Sequence, residues 1–130
     1  MFIDANIFIY AYENVGSKAK VCKSFLKRVQ SGESKSHTSV LVLNEVLYYF
    51  CTHNPKIACA VFKNILAFPN LTILAVDEKS LIYVADLIMS GLSATDAYHV
   101  SVMKSNSIST ICSYDTVFDR ILGIIRQVPK

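Results

Sequence analysis

Short apolar segments alternate along the chain with longer stretches of helical periodicity, and this alternation limits the fold more than any other feature of the sequence. The pattern predicts strands at about residues 2–3, 35–38, 71–76 and 108–112. Helices are predicted between and after them, at about residues 6–12, 17–30, 40–52, 55–67, 78–90, 94–104 and 115–122. Because alternating strands and helices usually form a parallel sheet covered by helices on both faces, the sequence predicts an α/β fold of this kind.

Length and composition predict a single domain over residues 1–130, because 130 residues fall within the usual size of one domain. Apolar residues make up 52% of the chain and charged residues 18%, compared with typical values of about 45 to 50% and about 25%. Such an excess fills a core and can also cover a subunit interface, so the composition supports the hypothesis of a homodimer.

The sequence predicts no association with membranes. The longest apolar candidate, residues 40–51, is interrupted by Asn44 and Glu45 and is shorter than a bilayer requires. The N-terminal residues contain Asp4 and no basic region, which is not typical of a signal peptide, so we expect a cytoplasmic protein. The cysteines form no C-x-x-C pair, and we interpret all four as small core residues: Cys22, Cys51, Cys59 and Cys112.

Basic residues concentrate in the segment that contains the second predicted helix and the strand after it. The chain as a whole is mildly basic, with a formal net charge of +3 and a pI of about 8.7. One interpretation of this segment is the solvated face of an amphipathic helix, and the other is a surface that contacts phosphate groups. The residues concerned are Lys18, Lys20, Lys23, Lys27, Arg28 and Lys35.

Several acidic side chains occur where a solvated surface charge is not expected. Asp4 lies between two apolar runs, and Glu45 lies within one of the least polar stretches of the chain. Burying an unpaired carboxylate costs free energy, so each of these acids needs a partner. Further acids follow at the ends of predicted strands and the starts of helices, where parallel sheets bind ligands. The candidate group is Asp4, Glu45, Asp96, Asp115 and Asp119.

A divalent cation would allow these carboxylates to lie together without repelling one another. Mg²⁺ and Mn²⁺ prefer oxygen ligands and retain water, and such an ion can activate water for attack on a phosphate. Other interpretations stay open for three of the acids. Asp96 and Asp115 could simply stabilise the N-termini of helices, and Asp119 could pair with Arg120 or Arg126.

Four short motifs, in their order and spacing, resemble those of the PIN-domain family of nucleases over essentially the whole chain. In the first, residues 2–10, an Asp ends the first strand and an Asn follows two residues later. The second, residues 39–46, places Glu45 on a helix. The third, residues 92–97, contains Asp96, and the fourth, residues 112–119, combines a Ser, an Asp and a downstream Phe.

The resemblance implies a three-layer α/β/α sandwich with a mainly parallel central sheet. It also implies a metal-dependent ribonuclease in which Asp4, Glu45, Asp96 and Asp115 bind one or two Mg²⁺ or Mn²⁺ ions. Asp119 would be an auxiliary acid at the metal, and Asn6 and Ser113 would orient the carboxylates by hydrogen bonds. This chain has Tyr114 where the family often has Asn.

At this length, the chain is similar to VapC-like toxins of toxin–antitoxin pairs. Members of that subtype are RNases that act as homodimers and are silenced by a cognate antitoxin, so these partners are expected here. The sequence leaves two alternatives open. One is a non-catalytic RNA-binding or protein-binding module of the same fold, and the other is a phosphatase of the haloacid-dehalogenase type, which expects a second Asp at the position of Asn6.

Overall fold

The computed structural model describes residues 1–130 and contains one five-stranded sheet in which every pair of neighbouring strands is parallel. The strand order is β3-β2-β1-β4-β5, so the first strand of the chain lies at the centre. From β1 the chain moves outward to one edge through β2 and β3, and later returns to add β4 and β5 on the other side. The strands are β1 (Phe2–Ile3), β2 (Ser36–Ser39), β3 (Leu71–Leu74), β4 (Thr110–Cys112) and β5 (Ile125–Gln127).

Seven α-helices and one 3-10 helix complete a three-layer α/β/α sandwich, as expected from the sequence. None of the helices is long and apolar enough to span a lipid bilayer. The α-helices are α1 (Ala5–Glu13), α2 (Gly16–Ser31), α3 (Val40–Cys51), α4 (Pro55–Leu66), α5 (Glu78–Leu81), α6 (Val84–Met89) and α7 (Ala94–Ser105), and the 3-10 helix covers Thr116–Arg120.

Local sequence explains several of the helix ends. The Ser39 side chain caps α3 by accepting a hydrogen bond from the backbone N–H of Val42. Asn54 caps α4 directly before Pro55, whose missing N–H costs nothing in the first helical turn. Gly32 ends α2 with a φ of 87°, a left-handed conformation that glycine adopts without strain.

The core lies between the sheet and the helices and is built from large apolar side chains. Phe2 and Ile3 of the central strand are fully buried, as are Phe8 of α1 and Phe118 of the 3-10 helix. β1 is covered on both faces and flanked by strands on both sides, so the residue that follows it lies near the middle of the molecule. That residue is Asp4.

Two predictions about the region after β3 were wrong. The strand predicted at 71–76 was expected to be buried, but β3 is an edge strand and its residues are half-buried or exposed. The single helix predicted over 78–90 is divided into α5 and α6. The carbonyl oxygen of Ser80, which a continuous helix would use for the N–H of Val84, accepts a hydrogen bond from the Ser101 hydroxyl of α7 instead.

Further corrections concern the C-terminal part and the cysteines. The predicted helix at 115–122 is a 3-10 helix over Thr116–Arg120, and β5 was not predicted, because its three residues carry too little pattern. Cys22 and Cys112 are buried as expected, but Cys51 and Cys59 are exposed. The latter two were misassigned because they lie at solvent-facing positions of α3 and α4.

Candidate functional site

The candidate site lies where the neighbouring strands β1 and β4 end. Ile3 of β1 pairs with Cys112 of β4, so Asp4 and Ser113 leave the sheet side by side. The backbone N–H of Asp4 still donates to the carbonyl oxygen of Cys112, at 3.1 Å. β1 and β4 are also the strands at which the order of the sheet reverses. In parallel α/β sheets, this switch point at the carboxyl ends of the strands leaves a crevice for ligands.

Three donors hold the buried carboxylate of Asp4. Its Oδ1 accepts a hydrogen bond from the backbone N–H of Ala5 at 2.7 Å. Its Oδ2 accepts from the amide Nδ2 of Asn6 at 2.6 Å and from the Ser113 hydroxyl at 2.5 Å. The residue is only 7% exposed, and it also occupies the N-cap position of α1. The fold therefore fixes the orientation of this carboxylate.

Burial raises the pKa of Asp4 above its ordinary value. The Ser113 hydroxyl, the nearby His99 and the N–H of Ala5 all act to lower this pKa, and they offset the effect of burial only in part. The negative charge of Glu45 acts in the same direction as burial and raises the pKa further. A positive charge bound beside Asp4 would favour its ionised form.

Asn6 and Ser113 join Asp4 to the segment that follows β4. The Asn6 amide donates to the Ser113 hydroxyl oxygen at 3.0 Å, and its Oδ1 accepts from the backbone N–H of Tyr114 at 3.3 Å. The Ser113 hydroxyl oxygen also accepts from the backbone N–H of Asp115 at 2.9 Å. Asn6 and Ser113 thus bind the carboxylate of Asp4 directly, and they bind Tyr114 and Asp115 through backbone N–H groups.

Glu45 has a partner that the sequence did not reveal. Its Oε1 lies 2.5 Å from the ring Nε2 of His99, which belongs to α7 and is 1% exposed. The other ring nitrogen, Nδ1, is buried without a hydrogen-bond partner, so Glu45 is the only hydrogen-bond partner of the His99 ring. The Glu45 side chain is 38% exposed, which is less buried than its apolar sequence surroundings suggested.

The other three candidate acids lie in two kinds of environment. Asp96 lies in the first turn of α7, and its Oδ2 accepts from the Ser93 hydroxyl at 2.5 Å. Asp115 caps the 3-10 helix by accepting from the backbone N–H of Val117 at 2.9 Å. Both acids thus have the helix-terminal role considered as an alternative. Asp119 uses both oxygens to bind Arg126, at 2.8 and 2.9 Å.

The structure thus brings together only part of the candidate set. The charge of Glu45 raises the pKa of Asp4, the backbone N–H of Asp115 is linked to Asp4 through Ser113, and Asp96 lies one turn before His99 on α7. No three side chains of the types His, Cys, Asp or Glu lie close enough to hold a metal ion. A cavity of about 540 Å³ lies elsewhere and is lined by none of the five acids.

The chemistry of these donors nevertheless fits a hard divalent cation. Glu45, Asp96 and Asp115 each use one carboxylate oxygen in a hydrogen bond, which leaves the second oxygen without a protein donor. Carboxylate oxygens are the ligands that Mg²⁺ and Mn²⁺ prefer, and neither ion requires a site closed by protein alone. Asp119 does not share this property, because both of its oxygens bind Arg126.

The basic residues predicted to contact phosphates are divided between α2 and the segment before β2. Lys23 donates to the side chain of Asn14 at 2.6 Å, and Arg28 binds the carbonyl oxygen of Lys130. Lys18 lies over the rings of Tyr10 and Tyr114. The remaining members are exposed and make no side-chain hydrogen bond to the protein: Lys20, Lys27 and Lys35.

Comparison with known families agrees with this geometry. The sequence pattern of the PIN domain matches residues 1–123, which is nearly the whole chain. The chain belongs to the PIN-domain family. PIN nucleases generally use divalent metal ions. The family match also argues against the haloacid-dehalogenase alternative. Asn6, at the position where that class of phosphatase expects a second Asp, serves here as a hydrogen-bond partner of Asp4.

Solved structures with the same fold include VapC toxins and VapBC complexes. VapC20 of Mycobacterium tuberculosis, a toxin that cleaves the sarcin-ricin loop, is 17% identical, with a TM-score of 0.78 and coverage of 98% of both chains. VapBC2 of Rickettsia felis, bound to a promoter DNA fragment, is 18% identical, with a TM-score of 0.77 and coverage of 99% of this chain and 98% of that one. DNA-bound VapBC of Salmonella typhimurium is 20% identical, with a TM-score of 0.76 and coverage of 98% of this chain and 96% of that one. No curated protein matches the sequence.

Proposed function

We propose that this PIN-domain protein is a metal-dependent endoribonuclease that hydrolyses RNA phosphodiester bonds in the cytoplasm and is the toxin of a toxin–antitoxin pair. The observation that carries the proposal is the buried Asp4 carboxylate, held by three donors at the switch point of the sheet. Natural folds rarely bury a carboxylate with a raised pKa unless it has a role, so Asp4 is the natural centre of the site.

Four carboxylates would hold Mg²⁺ or Mn²⁺ in this proposal, namely Asp4, Glu45, Asp96 and Asp115. A bound divalent ion would lower the pKa of water and offset negative charge on the phosphate. The protein supplies orientation. Asn6 and Ser113 hold the carboxylate of Asp4. His99 binds one carboxylate oxygen of Glu45 and leaves the other oxygen without a protein donor. Asp119 is an auxiliary acid that can contribute only when its ion pair with Arg126 opens.

The reaction requires no covalent intermediate with the protein. The oxygen of a water molecule forms a bond to phosphorus while the bond from phosphorus to the leaving sugar oxygen breaks. The water loses a proton, and the leaving oxygen gains one.

Two protein partners belong to the proposal. The fold shared with VapBC complexes supports a cognate antitoxin. The apolar composition supports a homodimer, and so do exposed apolar side chains near α6, where Ile82 is 70% exposed, Met89 is 87% exposed and Leu122 is 93% exposed. Light scattering should give the mass of a dimer at micromolar concentration, and a monomer would contradict this part.

RNA cleavage by the purified protein tests the proposed activity. The wild type should cut RNA with Mn²⁺ or Mg²⁺ and stop when EDTA is added, and Asp4→Asn and Asp96→Asn should each abolish cutting. Asp86→Asn is a matched control, since Asp86 is an exposed acid of α6 outside the site. Cleavage that survives both site substitutions, or that ignores chelation, would refute the metal-dependent nuclease.

A second candidate function is a non-catalytic binding module of the PIN fold. It is favoured by the helix-capping contacts of Asp96 and Asp115, which give both acids a structural role. RNA binding without any turnover, under all metal conditions, would support this module and exclude the nuclease.

A further inference from the structure

One lysine of α2 lies in an aromatic environment next to the acidic site. The ammonium nitrogen of Lys18 is 4.8 Å from the ring centre of Tyr10 and 4.5 Å from that of Tyr114. The two rings meet edge to face, with their centres 5.5 Å apart. Because the face of an aromatic ring carries partial negative charge, the two tyrosines hold the cation in place. Lys18, Tyr10 and Tyr114 are called the Lys18 subsite below.

The Lys18 subsite is connected to Asp4 by adjacent hydrogen bonds. The amide of Asn6 donates to Asp4 at 2.6 Å, and the oxygen of the same amide accepts from the backbone N–H of Tyr114 at 3.3 Å. Tyr114 also follows Ser113, whose hydroxyl binds Asp4 directly. A change in the position of Tyr114 would therefore disturb the same residue, Asn6, that orients the central carboxylate.

The ammonium of Lys18 has no partner of opposite charge in the structure. The two ion pairs in the structure are those of His99 with Glu45 and of Arg126 with Asp119, so no carboxylate neutralises Lys18. The ammonium covers the ring faces that it contacts, so an approaching ligand meets a charge and not an open stacking surface. The ligand that fits an exposed, unneutralised cation beside an acidic nuclease centre is the anionic backbone of the substrate.

We infer that Lys18 binds a phosphate of the RNA backbone next to the carboxylate centre, and that Tyr10 and Tyr114 position its ammonium for this contact. The inference rests on the proposed ribonuclease function and deepens it. It selects, from the six basic residues of the segment, the one whose aromatic partner Tyr114 is hydrogen-bonded to Asn6 beside Asp4, and it assigns a role to Tyr114 at the position where the family often has Asn.

The test measures RNA binding without turnover. Every variant is made in the Asp96→Asn protein, which should bind but not cut, and the affinity for a labelled single-stranded RNA is followed by fluorescence anisotropy over a range of KCl concentrations. Lys18→Ala is compared with Lys20→Ala, which removes the same charge from the same helix but has no aromatic contact. Both side chains are exposed, so neither substitution should prevent folding.

Loss of one phosphate contact should reduce the slope of log K against log [salt] by about 0.7, which corresponds to about fivefold weaker binding at 0.1 M salt. We expect this change for Lys18→Ala and a clearly smaller one for Lys20→Ala. If RNA is bound and cut but the two variants behave alike, the Lys18 assignment is overturned and the nuclease stands. If wild type cuts no RNA and Asp96→Asn binds none, the proposed function fails, and the subsite fails with it.

A double-mutant comparison tests the role of the tyrosine. Tyr114→Phe keeps the ring and should bind RNA like the parent protein, whereas Tyr114→Leu should weaken binding. If Tyr114 acts by positioning Lys18, then adding Lys18→Ala to Tyr114→Leu should cause little further loss beyond that of Lys18→Ala alone. Fully additive losses would show that Tyr114 contacts RNA by itself and would overturn the positioning role.

Discussion

Removal of the Ser113 hydroxyl tests how the fold supports the buried acid. The hydroxyl donates to Asp4 at 2.5 Å and accepts from the Asn6 amide and from the N–H of Asp115, at 3.0 and 2.9 Å. Ser113→Ala removes all three hydrogen bonds at a fully buried position while adding no atoms. The variant should therefore fold in the same way and lose only these contacts.

The expected cost follows from the type of each hydrogen bond. A hydrogen bond to a charged group contributes about 1.5 to 3 kcal/mol, and a buried donor left without a partner costs about 1 to 3 kcal/mol. Asp115 is exposed, so water can replace the lost partner of its N–H at little cost. We therefore expect Ser113→Ala to lower the free energy of unfolding by about 2 to 4 kcal/mol near neutral pH.

This cost should depend on pH, because the hydroxyl lowers the pKa of Asp4. Without it, the folded-state pKa rises further above the ordinary value of 3.8, while the unfolded-state pKa stays the same. A raised folded-state pKa means that the native state binds the proton more tightly than the unfolded chain does. Stability is then lost as the pH rises through the folded-state pKa, so the variant should be closest to wild type in acid.

Urea unfolding between about pH 4 and about pH 8 measures both effects. Ser101→Ala is the matched control, because Ser101 is equally buried but donates to a neutral carbonyl oxygen, so its cost should not vary with pH. In an Asp4→Asn background, Ser113→Ala should likewise lose its pH dependence. A cost for Ser113→Ala that is the same at every pH would refute the assigned link between the hydroxyl and the Asp4 charge.

Three further predictions concern the metal and its ligands. Mn²⁺ at ten times its dissociation constant should stabilise the wild type by about 1.4 kcal/mol, a rise of a few degrees in Tm by thermal shift, and Asp4→Asn should abolish the rise. His99→Gln should weaken Mn²⁺ binding measured by calorimetry by about 10- to 100-fold, since it frees Glu45; unchanged affinity would contradict the orienting role. Asp119→Asn should retain most of the cleavage rate, because Asp119 is paired with Arg126, and a loss as large as that of Asp4→Asn would place it among the essential acids.

Local sequence determined much of the fold and therefore made it predictable. The alternation of strands and helices predicts the parallel sheet, and the predicted starts of three helices at residues 40, 55 and 78 agree with the structure, where the side chains of Ser39, Asn54 and Asp77 cap them. The division between α5 and α6 could not be predicted in this way. It depends on the hydroxyl of Ser101, which reaches the carbonyl oxygen of Ser80 from a helix that follows later in the chain.

The same distinction applies to the candidate site. Asp4 was identifiable because an acid between apolar runs must be either paired or functional. The need of Glu45 for a partner was also clear, but His99 was not found, because the two residues lie 54 positions apart and meet only through the packing of α3 and α7. The sequence does carry one signal for His99, which lies one helical turn after Asp96 on α7 and next to the apolar Val100.

The origin of the oxygen in the product tests the central claim most directly, namely that an activated water attacks RNA at the Asp4 centre. A single-turnover cleavage of RNA in ¹⁸O-labelled water, with Mn²⁺ present, can be analysed by mass spectrometry of the fragment ends. We predict a terminal phosphate monoester that carries one ¹⁸O atom and is absent from the Asp4→Asn reaction. A 2′,3′-cyclic phosphate without ¹⁸O would contradict the account, because it would show attack by the ribose hydroxyl instead of water.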